Sequence, residues 1–240
     1  MLAGYRVRDI KHECAEDIAS IVALSAGIFK NPRTSWGQNE YDMKAALDVY
    51  HRTGGWVASG IFSPNNKMVG FGVGAVIRNQ QDLKPFMRDY IGNIVAVPVA
   101  GYKPGSDFQS KADAVIDRLP NKSNVLIFGE IGRKPGERIS RSPFVNVRNI
   151  MTASLLNQAG ALGSEVMIGC MRAKAPLHKS IASYSTTLGE IPISIQIDDN
   201  PILDIPIPSI AVFQINFANN LIIQAQKFVL RSQLYLNNNI

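Results

Sequence analysis

The chain has little of what marks several protein classes. Its two cysteines, Cys14 and Cys170, are too few for a disulfide framework or a four-cysteine zinc site. Its three histidines, His12, His51 and His178, lie far apart and show no metal-ligand spacing, so no metal is expected. No apolar run approaches the roughly 18 residues of a spanning helix, and Met1 to Arg6 lack the apolar stretch of a secretion signal. Charged residues make up only 18%, too few for a chain disordered throughout. No serine or cysteine sits in a recognisable nucleophile signature, so covalent catalysis is not suggested. There is no internal repeat, heptad array or low-complexity tract. A soluble, compact, cytoplasmic protein is expected.

What is present fits one domain of 240 residues, 46% of them apolar, enough to fill a core. Twenty-five basic against 19 acidic residues leave a net charge of +6, which favours anionic partners. Aromatics are not interleaved with the basic cluster, and no helix-turn-helix, RNP or zinc pattern occurs. Nucleic acid is therefore not the expected partner.

The local pattern predicts α+β. Tyr5 to Ile10 alternates as a strand. Glu13 to Phe29 has helical spacing, with Ile18, Ile21, Val22 and Ser25 near one face. A second helix is predicted from Gln38 to Arg52, with Met43, Ala46, Leu47 and Tyr50 as its stripe. Residues 56–62 and 68–77 read as a β-hairpin joined by Ser63 to Lys67. Gly70, Gly72 and Gly74 leave one face of its second strand almost without side chains, so a backbone or a ligand can approach closely. Residues 79–122 read as an insertion of mixed structure, with a helix from Asp107 to Leu119. A buried strand, 125–131, leads into a basic loop, 133–141. Ser142 and Pro143 read as the cap and first turn of a helix running to about Leu162. A strand (165–170) and a short helix (177–187) follow. Beyond Glu190 come extended segments at 191–197 and 204–213, then a helix from Asn219 to Leu236. The proline-bearing extended edge suits pairing with a second copy as a homodimer.

This order resembles the Gcn5-related N-acetyltransferase (GNAT) superfamily. The resemblance is carried by Met68 to Gly72, by Glu130 to Arg133, by the helix from 143, and by Tyr184 to Gly189 with its Leu-Gly pair. It runs from about residue 5 to 190, with 79–122 inserted and 191–240 as an extension completing or covering the sheet. The length and the strand end at Glu130 are similar to the larger acyltransferase branch. That branch includes N-acyl amino acid synthases, acyl-homoserine-lactone synthases and fatty-acyl transferases of ribosomal peptides. Two departures are visible. The family's phosphate loop reads Gln/Arg-x-x-Gly-x-Gly/Ala. Starting at Arg141, Phe144 and Asn146 replace the glycines; starting at Arg133, Gly136 matches but Arg138 takes the last small position. Tyr184 sits five residues before Gly189, where the family has four.

The resemblance implies a mainly antiparallel sheet flanked by helices, and an N-acyltransferase using a thioester donor. That donor is acyl-CoA, or the acyl-phosphopantetheine of an acidic acyl carrier protein, with a fatty-acyl group preferred. The insertion and the apolar C-terminal segment would wall a tunnel for its chain. The acceptor is the amine of an amino acid or peptide. Glu130 is the candidate base, since burial in an apolar strand raises a carboxyl pKa toward working pH. Tyr184 is the candidate acid for the leaving thiolate. Ile131, Arg133, Arg138, Ser140, Arg141 and Ser142 are the candidate donor-binding residues, because a helix N-terminus with arginines favours phosphate. Cys170 reads as core. The alternative is a non-catalytic GNAT-like module binding through its basic surface.

Overall fold

A computed structural model describes residues 4–29, 40–95, 107–140, 145–172, 185–191, 210–216 and 219–238. In chain order its elements are β1 (Arg6–Asp9), α1 (Ala15–Phe29), α2 (Glu40–Arg52), β2 (Trp56–Phe62), β3 (Met68–Ile77), α3 (Gln80–Val95), α4 (Phe108–Ile116), β4 (Val125–Arg133), α5 (Val147–Ala161), β5 (Val166–Arg172), β6 (Thr186–Ile191), β7 (Ile210–Asn216) and α6 (Asn219–Asn238). The strands form one sheet in the order β1-β2-β3-β4-β5-β7-β6. The β4–β5 pair is parallel and the other neighbours are antiparallel. The fold is the expected mixed, mainly antiparallel sheet flanked by helices. No described helix is long and apolar enough to cross a membrane.

Alternation along the strands builds a core on each face. Ala58, Phe71, Val73, Ile77, Val125, Ile127, Val166, Ile168 and Val212 point to the side covered by α1 to α4. Leu126, Met167, Phe213 and Ile215 point to the other side, under α5, and α6 packs beside α5 through Ala225, Phe228 and Val229. The hairpin closes as predicted, with Ser63 N–H donating to Lys67 O and Asn66 in the left-handed region that asparagine tolerates. The bare face of β3 is taken by α5. A Cβ on Gly70 would lie 2.5 Å from Val147 Cγ1, and one on Gly72 would lie 3.0 Å from Met151 Cβ.

Two expectations are corrected, the cap of α5 and the state of Thr186 and Thr187. Within the stretch expected as mixed structure, residues 80–95 form a helix: Leu83, Phe86, Met87, Tyr90 and Ile91 recur at three- and four-residue intervals and are buried. Pro85 removes one helical N–H without ending α3. The cap of α5 is Asn146, whose side chain accepts from Asn149 N–H at 2.9 Å, rather than Ser142. Arg141 to Phe144, including Ser142, lie outside the described residues. Thr186 and Thr187, predicted as the end of a helix, belong to β6, because a strand partner in β7 overrides local propensity. Of the extended segment expected at 204–213, residues 204–209 lie outside the described residues and 210–213 belong to β7, which runs on to Asn216 between β5 and β6.

The N-terminal turn of α1 is tied to the edge strand by one ion pair. Arg8 grips Asp17 with two hydrogen bonds, of 2.6 and 2.8 Å, and stacks its guanidinium 4.0 Å above the Phe62 ring. Asp17 is buried while Arg8 is half-exposed. Hydrogen bonding from Arg8, set against burial, holds the Asp17 carboxyl below its ordinary value. We expect Arg8→Met to cost about 2 kcal/mol at neutral pH, because it strands a buried carboxylate. A carboxylate whose folded value is depressed stabilises above its unfolded value and loses that contribution as pH falls. The gap between wild type and variant should therefore close below about pH 4. Urea unfolding across pH measures it, and a gap that persists at low pH would deny the charge its role.

Candidate functional site

The site follows from how β4 ends its pairing. Along its length β4 pairs with β3, from Val125 opposite Ile77 to Arg133 opposite Gly70. With β5 it pairs only from Val125 to Phe128, the last partners being Phe128 and Gly169. Beyond that point β5 continues through Cys170 to Arg172 against β7. The two central strands thus part, each keeping one neighbour.

A bulge sits at the parting. Val73 faces Glu130 and Gly74 faces Phe128, so Gly129 is an extra residue in β4. It resets the alternation. Ile127 and Glu130, three apart, both face α1 to α3, while Ile131 packs with Val147, Ile150 and Met151 on the α5 side. Only glycine fits the extra position. A Cβ there would lie 2.6 Å from Val73 O and 2.7 Å from the Tyr50 hydroxyl.

Glu130 is 7% exposed. The buried Ser25 hydroxyl of α1 donates to its Oε2 at 3.1 Å. Tyr50 of α2 and Tyr90 of α3 lie on the same side, their ring centroids 5.8 Å apart. The Tyr90 hydroxyl donates to Phe128 O at 3.4 Å. Burial, reinforced by the Glu130 charge, pushes the Tyr50 phenol well above its ordinary value. Burial does the same to Tyr90, helped by Tyr50 and Cys170. Both phenols therefore remain hydrogen-bond donors at neutral pH. Burial pushes the Cys170 thiol up to about 12, so it is a protonated wall residue and not a nucleophile.

The basic loop leaves β4 at Arg133, which is exposed. Lys134 N–H donates to Val69 O, and Gly136, at φ +75°, closes a turn in which Glu137 N–H donates to Lys134 O. The Tyr5 hydroxyl donates to the Glu137 carboxylate. Burial and this carboxylate push the Tyr5 phenol up to about 12. Arg138 is exposed and donates through Nε to Ser140 O, while Ile139 and Ser140 are buried. The α5 helix begins at Val147, with Arg148 exposed and no acidic residue in its first turn. Of the two loop registers, the one starting at Arg141 runs directly into this helix. Gly136 of the other lies in a turn well before it.

No protein-family model matches the sequence, and no curated protein is similar at a significant level. Solved structures do match. The phosphinothricin acetyltransferase of the GNAT superfamily from Sinorhizobium meliloti, in complex with AcCoA, is 12% identical with a TM-score of 0.51, over 89% of each chain. A mutant agmatine N-acetyltransferase in apo form is 11% identical with a TM-score of 0.54, over 89% of this chain and 99% of that one. The C-terminal condensation domain of Ebony, in complex with beta-alanyl-dopamine, is 13% identical with a TM-score of 0.52, over 89% and 99%. The chain has the GNAT fold.

Within that fold the predicted residues divide. Glu130 stands at the bulge, Ile131 on the opposite face toward α5, and Arg133, Arg138 and Ser140 in the loop between β4 and α5. Arg141, Ser142 and Tyr184 lie outside the described residues. Sequence reasoning missed the surroundings of Glu130: Ser25, Tyr50 and Tyr90. Ser25 was visible as a hydroxyl in the apolar stripe of α1, and Tyr50 ended the stripe of α2. Tyr90 stayed hidden with α3. Two histidines distant in sequence, His12 and His51, also meet, stacked 3.6 Å apart. Among the described residues no group of three metal-binding side chains forms.

The bulge can be tested without a substrate. In Gly129→Ala the new methyl meets Val73 O and the Tyr50 hydroxyl, and we expect a loss of about 2 kcal/mol on urea unfolding, typical of forced overpacking. A variant as stable as wild type would mean that β4 has room to relax there.

Proposed function

We propose that this protein is an N-acyltransferase that moves an acyl group from a CoA thioester to the amine of a small molecule or peptide. The observation that carries the reading is the bulge at Gly129, which aims a buried carboxylate into the point where β4 and β5 part. The likeness to acetyltransferase structures at low identity supports the fold and leaves the activity to this geometry.

The chemistry asks for three things: the amine must lose a proton, the thioester carbonyl must be polarised, and the thiolate must leave. Glu130 is the proposed base. It is buried and held in place by the Ser25 hydroxyl, which fixes the carboxylate for proton transfer. The carbonyl carbon gains the new C–N bond and loses the C–S bond, and the amine proton passes to Glu130. Tyr184 is the proposed donor of a proton to the departing thiolate, which leaves as free CoA thiol. Backbone N–H groups of β4 that no longer face β5 are the proposed hydrogen-bond donors to the thioester. Arg133, Arg138 and Arg141, with Ser140, Ser142 and the first turn of α5, are the proposed phosphate contacts. A carrier protein presents the same phosphopantetheine arm and is the alternative donor.

Two measurements test the reading. A ligand that binds only the native state raises the melting temperature, so acetyl-CoA should stabilise the protein. No shift with any CoA species or acyl carrier protein would favour the non-catalytic binding module instead. Release of CoA thiol with a panel of small amines should then fall about 100-fold in Glu130→Gln, the usual scale of a lost general base. Turnover equal to wild type at every pH would remove Glu130 from the role.

A further inference from the structure

Directly beneath the parting, on the α1–α4 side of the sheet, three aromatic rings fill the core. Tyr50 comes from α2, and Phe86 and Tyr90 come from α3. They are 1%, 9% and 4% exposed. Their centroids are 5.8 to 6.4 Å apart in all three pairings, and Phe86 and Tyr90 lie nearly parallel at 14°. The cluster touches the β4 arm of the parting at the bulge. The Tyr50 hydroxyl stands 2.7 Å from the Cβ position of Gly129, and the Tyr90 hydroxyl stands 3.4 Å from Phe128 O. Toward the β5 arm, Cys170 packs against the same core. The two hydroxyls are within reach of each other and top the cluster with a polar rim.

We infer that Tyr50, Phe86 and Tyr90 form a floor that limits the donor to short acyl groups, an inference that rests on the acyltransferase reading above. It runs against the fatty-acyl donor expected from the sequence. Residues 79–122 were expected to wall a tunnel for a long chain, yet the described part of α3 packs Phe86 and Tyr90 into the core beside the bulge. Two physical costs oppose a long chain here. Moving packed rings gives up their contacts in an interior with few voids. A hydrocarbon chain driven between the two hydroxyls breaks their hydrogen bonds to each other and to Phe128 O and offers none in return, and a buried polar group without a partner is unfavourable. A two- to four-carbon acyl group incurs neither.

The test compares acetyl-CoA with decanoyl-CoA binding by titration calorimetry on wild type, Phe86→Ala and Tyr90→Ala. Wild type should bind acetyl-CoA at least tenfold more tightly, and each variant should shrink that ratio at least fivefold by gaining affinity for decanoyl-CoA while keeping its acetyl-CoA affinity within a few-fold. Tyr90→Leu, a smaller change in volume, serves the same comparison if an alanine variant does not fold. Decanoyl-CoA bound as tightly as acetyl-CoA by wild type would overturn the floor while leaving the acyltransferase reading intact. A ratio unchanged in a folded variant would also overturn it. Wild type binding neither donor would overturn the CoA-dependent form of the acyltransferase reading, and the floor with it.

Discussion

The structure is organised around a place where a sheet stops pairing. Backbone N–H and C=O groups inside a protein need partners, and a strand that leaves its neighbour mid-sheet gives some up. Here the loss is confined to one seam. β4 stays paired with β3 to Arg133, and β5 stays paired with β7 to Arg172, so the sheet opens between two strands that are each secured on the far side. β7 is what makes this tolerable on its side. By running between β5 and β6, it holds the far edge of β5 as far as Arg172, beyond the point where β4 leaves the near edge.

The bulge beside that opening shifts which side chains face which way. Were Gly129 an ordinary alternating residue of β4, Glu130 would fall on the α5 side of the sheet and Ile131 on the side of α1 to α3. With it, an acid enters the apolar core, which is expensive unless the acid is hydrogen-bonded. The Ser25 hydroxyl answers that need, and the Tyr50 hydroxyl stands over the bulge itself. The same hydroxyl closes the space a side chain at 129 would need, so the glycine, the tyrosine and the glutamate depend on one another. On the opposite face, Gly70 and Gly72 let α5 settle close against β3, which brings its N-terminus beside the mouth of the opening.

Much of this was legible in the sequence where one signal acted alone. The stripe Met43–Ala46–Leu47–Tyr50 gave a helix with the right buried face, and the turn residues between 62 and 68 gave the hairpin and its partners. The failures came where signals competed. In α3, Pro85 and a polar surface masked an apolar stripe that was present at helical spacing. At 186–187, local preference lost to pairing with a strand more than twenty residues away. At the start of α5, a serine–proline pair imitated a cap, and the asparagine four residues on does the capping. For the site, Glu130 stood out because it interrupts an apolar strand, but no sequence pattern states that a bulge precedes it. Bulges are set by the neighbouring strand, and here by how Val73 and Gly74 face β4.

The asparagine cap also bears on the loop that departs from the family's glycine pattern. Glycines in such a loop let backbone approach an anion closely, and their replacement by Phe144 and Asn146 removes that freedom. What replaces it is electrostatic. Asn146 caps with a neutral side chain, so it satisfies one N–H of the first turn without adding negative charge. The first turns of α1, α2 and α3 carry acids that oppose the positive end of the helix dipole, and the first turn of α5 carries none. The acid nearest in the loop, Glu137, is engaged by Tyr5. Arg133, Lys134 and Arg138 are therefore left as the outward charges of the loop, at the edge of the opening and on the side of the proposed donor contacts.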